Sequence, residues 1–220
     1  MTPLVLAVDT TRELGSLALL RGDETVEEVS LEAPSGFAHV LYDHLGALLE
    51  RHGVRLPVID CFAASSGPGS FTGVRVGLAC IKGLAEALGR PAVAVSNLRA
   101  LATFGTAPLR AAVMDARRGE IYGAVYDDSA RVVVPEVVTG LAAWLDRLPE
   151  AGLEFVSPAA VALAGTRFES ARVVIAPPAQ AAAIGRLALA EFRCGRASDP
   201  AALDANYVRR SDAELFWKDK

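Results

Sequence analysis

At 220 residues the chain can hold one large domain or two small ones, and 52% hydrophobic residues with a mean hydropathy of +0.32 exclude a disordered chain. A formal charge of −4 and a pI of about 5.5 exclude tight nucleic-acid binding by the chain alone, because neutralising phosphates takes a basic surface. With no apolar run as long as about 18 residues, no basic signal-type start and three scattered cysteines, Cys61, Cys80 and Cys194, a cytoplasmic protein with reduced thiols and no membrane partner is expected.

The apolar run 3–8 reads as a strand ending in Asp9. A turn over 10–15 leads to a second strand over 16–20, and Gly22-Asp23 turns the chain into a third over 25–31. Pro34-Ser35-Gly36 opens a helix over 37–51 whose apolar face holds Phe37, Leu41, Leu45 and Leu48. A strand follows at 61–65, then Ser66-Gly67-Pro68-Gly69-Ser70-Phe71-Thr72-Gly73, and a long helix over 72–88. The glycines and proline interrupt both periodicities, so this is a strand-to-helix loop, with Ser70 or Thr72 as cap. Such a loop can cradle an anion at the helix N-terminus, although no Walker or GxGxxG pattern is present. A tight structural turn is the plainer reading.

The long helix carries one apolar stripe, Val74, Leu78, Ile81, Ala85 and Leu88, and a second face of small or modest residues: Gly73, Val76, Cys80, Gly83 and Ala87. A helix apolar on two faces is buried twice, and the small face admits a close helix, from this chain or another. Val76, Cys80, Gly83 and Ala87 are therefore candidate interface residues.

A strand over 91–95 and a short helix over 97–103 close the first half, and the stretch 104–108 is a natural seam. The pattern then begins again. A strand over 111–114 ends in Asp115, a short turn contains Arg117-Arg118-Gly119, and strands follow at 120–126 and 131–134. Helical patterns occupy 141–147 and 180–193, with a strand at 172–176 between them. Two units of three strands and a helix in tandem predict an α/β protein with mixed sheets and duplicated lobes, 1–104 and 105–220.

Paired lobes that each start with a strand ending in Asp and hairpin back through glycine resemble the actin, sugar-kinase and Hsp70 ATPase superfamily. Within it, "LAVDTT", "SSGPGSFTGVRVGLACIKGLA", "VMDARRGEIYGAVY" and "NYVRRSDAE" closely resemble the TsaB (YeaZ) family. The likeness implies a ribonuclease H-like duplicated fold. It also implies a role in the bacterial machinery that places threonylcarbamoyl on adenosine 37 of tRNAs reading codons that begin with A. In that machinery a TsaD-type paralogue does the transfer and a TsaE-type ATPase joins the complex. A subunit of this kind docks on the TsaD-type protein, forms homodimers when alone, and meets tRNA only through the complex.

The superfamily likeness further implies that Asp9 and Asp115 flank a nucleotide pocket, with Thr10 and Thr11 supplying hydroxyls; both aspartates also fit as plain turn-formers. TsaD-type enzymes carry two metal-binding histidines just after the strand that follows the long helix. Here Asn97 and Leu101 stand there, so neither a metal nor a cofactor of its own is expected. His39 and Asp43, four apart, read as an exposed polar pair rather than ligands. No Ser-His-Asp or Cys-His constellation can be assembled. The expected role is a non-catalytic subunit; the alternative is a stand-alone ATP-dependent enzyme or metallopeptidase of the same fold.

Overall fold

The computed structural model describes residues 2–150 and 152–208. Residues 209–220 lie outside them, and with them the Arg209-Arg210 pair and the end of the "NYVRRSDAE" motif. Among the described residues no helix is long and apolar enough to cross a membrane.

The described residues form two compact units, residues 2–100 with 177–205, and residues 101–150 and 152–176 with 206–208. In the first, β1 (Leu4–Asp9), β2 (Leu14–Arg21) and β3 (Glu24–Glu32) form an antiparallel meander. After α1 (Leu41–Arg51), β4 (Cys61–Gly67) pairs parallel to β1; after α2 (Phe71–Leu88), β5 (Ala92–Ser96) pairs parallel to β4, and α3 (Asn97–Ala102) follows. The sheet order is β3-β2-β1-β4-β5. In the second unit β6 (Leu109–Arg117), β7 (Glu120–Asp127) and β8 (Val132–Gly140) repeat the meander. After α4 (Leu141–Leu145), β9 (Leu153–Ser157) joins β6 in parallel and β10 (Val173–Ile175) joins β9. The order β10-β9-β6-β7-β8 is that of the first sheet read in reverse, so the duplication expected from the sequence is one of topology.

The strands of the first sheet are apolar on both faces because both are covered. Leu4, Leu6, Val8, Leu17 and Leu19 point to one side, where they join Leu41, Leu45 and Leu48 of α1 and Val74, Leu78 and Ile81 of α2 in one core. Alternation turns Val5, Ala7, Ala18 and Leu20 to the other side. There lies α5 (Ala181–Arg193), with Ala181, Ala183, Ile184 and Ala188 buried. Gly185 lets it approach, since a Cβ there would run into the Leu20 side chain. In the second unit Trp144 of α4 packs edge-on to Phe155 at 6.3 Å, and Phe155 edge-on to Phe168 at 5.4 Å.

Two expectations need correction. The second lobe does not run from 105 to the end of the chain: α5 and the stretch around it complete the first unit. The reason is visible at the helix N-terminus, whose orphan N–H groups are satisfied by first-sheet side chains. Ser16 Oγ accepts from Gln180 and Ala181 (3.1 and 2.9 Å), and Glu28 Oε1 accepts from Ala182 (2.8 Å). The helix expected over 37–51 is also broken: Phe37–His39 form a separate 3-10 turn, so His39 and Asp43 do not share one helix, and both are exposed.

Ser16 is a buried cap for a helix 165 residues away. Ser16→Ala should lower unfolding stability by about 1 kcal/mol, read from denaturant midpoints with an unchanged m-value.

Candidate functional site

Asp9 ends β1, and the register that places Val8 beside Ala64 carries Ser65 of β4 to its side. The carboxylate is buried, and its Oδ1 collects donors: the Thr11 N–H (3.0 Å), the Thr11 hydroxyl (2.6 Å) and the Ser65 hydroxyl (2.7 Å). Asn97, the first residue of α3, completes the cluster. Its Nδ2 donates to Thr11 Oγ1 (2.7 Å) and reaches Asp9 Oδ1 at 3.5 Å, while its Oδ1 accepts from the Gly67 N–H (3.0 Å). Asp9, Thr10, Thr11, Ser65 and Asn97 are nearly inaccessible to solvent. Asp9 Oδ2 is buried without a hydrogen-bond partner among the described residues.

The glycine-rich loop closes over this cluster. Ser66 and Gly67 end β4, and Ser70 is the N-cap of α2, its Oγ accepting from Gly73 (3.2 Å), so Ser70 and not Thr72 is the cap. The Ser70 N–H donates to the Thr11 carbonyl (2.7 Å), and the Thr10 hydroxyl donates to the Gly73 carbonyl (2.7 Å). A Cβ on Gly69 would lie 2.5 Å from the Thr11 carbonyl oxygen; one on Gly73 would overlap the Thr10 carbonyl, and one on Gly77 would lie 2.6 Å from Thr10 Oγ1. Three glycines four residues apart thus form a socket for the Thr10–Thr11 turn. A phosphate cradle needs open backbone at such glycines. Here the chain's own turn takes that room, so these residues do not fit a nucleotide phosphate at this loop.

Asp115 belongs to the other unit. It is exposed, and its Oδ1 accepts from the Arg117 N–H at 2.8 Å, the turn-forming role that the sequence left open for it. Among the described residues no group of three or more His, Cys, Asp or Glu could hold a metal ion. Leu101 is fully buried.

The proposed interface residues separate. Cys80 is buried in the core of its own unit and hydrogen-bonds with Tyr42 of α1, so it does not line the outer face. Burial pushes its thiol up to about 11 and that of Cys61 up to about 12. Val76 is half-buried, and Gly83 and Ala87 are exposed. Tyr42 of α1 (58% exposed) and Phe71 at the start of α2 (44%) are also exposed, the latter stacked under Arg75 at 3.6 Å.

A family model described as TsaD, tRNA N6-adenosine threonylcarbamoyltransferase, matches residues 32–203. A protein from Escherichia coli named tRNA threonylcarbamoyladenosine biosynthesis protein TsaB is 32% identical over 179 residues, 68% of this chain and 77% of that protein. The chain belongs to the TsaB family. A Bacillus subtilis protein of the same name is 33% identical over 151 residues, 66% of each chain, so the match spans about two thirds of that relative's length. The crystal structure of YeaZ from Pseudomonas aeruginosa superposes with a TM-score of 0.74 at 25% identity, covering 93% of this chain and 99% of that one. The duplicated, actin-like lobes are therefore those of TsaB-type proteins. Ser65 and Asn97, the partners of Asp9, escaped the sequence reading. The signal available for Ser65 was its place at the end of the strand beside β1, and for Asn97 a buried amide opening a helix.

The same substitution should have opposite effects at two glycines of α2. Gly73→Ala forces a Cβ into the Thr10 carbonyl and should destabilise by about 3 kcal/mol, whereas Gly83→Ala meets nothing within 4 Å and should stabilise by up to about 1 kcal/mol. Thermal or urea unfolding of both variants checks the contrast. In native protein the exposed Cys194 should take an alkylating reagent while Cys61 and Cys80 should not, until denaturant is added; mass spectrometry of the digested protein reads which cysteine is labelled.

Proposed function

We propose that this chain is a non-catalytic, dimerising and activating subunit of the complex that adds threonylcarbamoyl to adenosine in tRNA, working beside a TsaD-type paralogue and a TsaE-type ATPase. The observation that carries the reading is the fate of Asn97 and Leu101. They stand where a TsaD-type enzyme places its metal histidines; the Asn97 amide is spent on Gly67 and Thr11, and Leu101 is core. The Asp9 cluster supports it, since its donors bind β1, β4 and α3 together rather than facing a ligand. Such a subunit acts by presenting a rigid surface to its partner.

The outer face of α1 and α2 is that surface. Gly46 and Gly83 are exposed helix residues at which an added Cβ would meet nothing within 4 Å. A glycine inside an exposed helix costs about 1 kcal/mol against alanine. Gly73 and Gly77 have a reason inside the chain; Gly46 and Gly83 have theirs in a helix that comes close from outside, flanked by Tyr42, Phe71, Val76 and Ala87. The partner is the TsaD-type paralogue, and a second copy of this chain takes its place when the paralogue is absent.

The purified chain should hold no stoichiometric iron or zinc and should modify no tRNA until the paralogue and the ATPase are added. Elemental analysis and a nucleoside assay test this, and transfer by the chain alone would overturn the reading. Gly83→Arg should leave the circular dichroism spectrum unchanged and melting no lower while weakening self-association and pairing with the paralogue at least tenfold, measured by size-exclusion chromatography and titration calorimetry. Normal pairing would place the interface elsewhere.

A further inference from the structure

We propose that the tip of the β6–β7 hairpin, Arg117 and Arg118, is a contact for the phosphate backbone of RNA. Arg117 pairs with Glu120 across the hairpin, which leaves Arg118 and Gly119 as its two-residue loop. Arg117, Arg118 and Gly119 all have positive φ, at 65°, 58° and 76°. A two-residue loop of this handedness is satisfied without strain by Asn-Gly or Gly-Gly. Long side chains enter the left-handed region only at a cost, which persists where the side chain itself is needed. Here it is accepted at two successive positions, and both carry a guanidinium. Asp115, the neighbouring carboxylate, accepts the Arg117 backbone N–H and so fixes the turn in this shape.

Both arginines are exposed at the end of a hairpin in a chain of net charge −4. Two exposed arginines side by side at a hairpin tip suit successive phosphates of an extended polyanion. A free nucleotide is held in a concave, largely enclosing site instead. RNA is favoured over an acidic protein surface because the relatives of this chain are named for work on tRNA. The inference deepens the proposed function: it gives this subunit a direct, weak RNA contact that counts once a complex supplies the rest of the basic surface.

The test uses the double variants Arg117→Asn/Arg118→Asn and Arg117→Lys/Arg118→Lys, each reconstituted with the TsaD-type paralogue. Affinity for an unmodified tRNA transcript is titrated between about 50 and 200 mM salt. Asparagine tolerates positive φ, so the first variant should melt no lower than the parent, yet bind tRNA more weakly at low salt. Its slope of log affinity against log salt should be shallower by about two, one for each lost phosphate contact. The lysine variant should keep most of the slope. An unchanged slope in the asparagine variant, or equal losses in both variants, would overturn the RNA contact. So would loss of pairing with the paralogue, which would identify a protein contact at the tip. If the parent chain forms no complex, the proposed function fails on its own, and the same titration on the chain alone at low salt decides between retained and lost slope.

Discussion

The first unit depends on one buried carboxylate. Asp9 draws the Thr11 amide and hydroxyl and the Ser65 hydroxyl to a single oxygen, and Asn97 links that group to the end of β4. Burying an ion costs several kcal/mol unless hydrogen bonds replace its water; with three short ones on Oδ1 the cluster becomes a joint between β1, β4 and α3. Because the joint holds the Thr10–Thr11 turn in one position, the glycines of the following loop and helix can close down on it. The order of cause runs from the carboxylate to the turn, from the turn to the glycine spacing, and from that spacing to the seat of α2 on its sheet. What the outer face of α2 can offer a partner follows from that seat.

The same chain of cause separates this unit from a nucleotide-binding lobe built on the same topology. An open glycine loop and a carboxylate facing solvent are what a phosphate and its counter-ion require. Here the loop is occupied by main chain, and one oxygen of the carboxylate, Oδ1, faces the chain's own hydroxyls. Such rigidity suits the docking role proposed above, since a partner that must first order its surface loses affinity to that ordering.

Much of this was legible before any coordinates, and the exceptions have physical reasons. The meanders, the strand ending in Asp9 and α2 are written in alternation, glycine and helical period, all local signals, whereas β6 runs past Asp115 to Arg117. The roles of Gly69, Gly73 and Gly77 were not, because a four-residue spacing marks a close approach without naming what approaches. Cys80 looked like part of an outer face on a helical wheel, but a wheel does not show that α1 leans over it with Tyr42. β9 was missed as a strand: its second residue is Glu154, which breaks the apolar run yet is buried beneath the amides of Thr106 and Ala107 and paired with Arg172. The allegiance of α5 was the largest error. A helix buried on nearly every side must lie under something, and only Ser16 and Glu28 say which sheet.

That allegiance bears on the order in which the molecule can be made. A ribosome delivers the five strands of the first sheet long before residues 181–193, so one face of that sheet, with Val5, Ala7, Ala18 and Leu20, waits uncovered while residues 101–176 of the second unit are synthesised. Domains ordinarily fold in turn as they emerge. Here the first to emerge is completed only after most of the second, and its closing contacts span more than 150 residues, a topology that slows folding. The apolar face left open in the meantime is a surface that a nascent-chain chaperone would recognise.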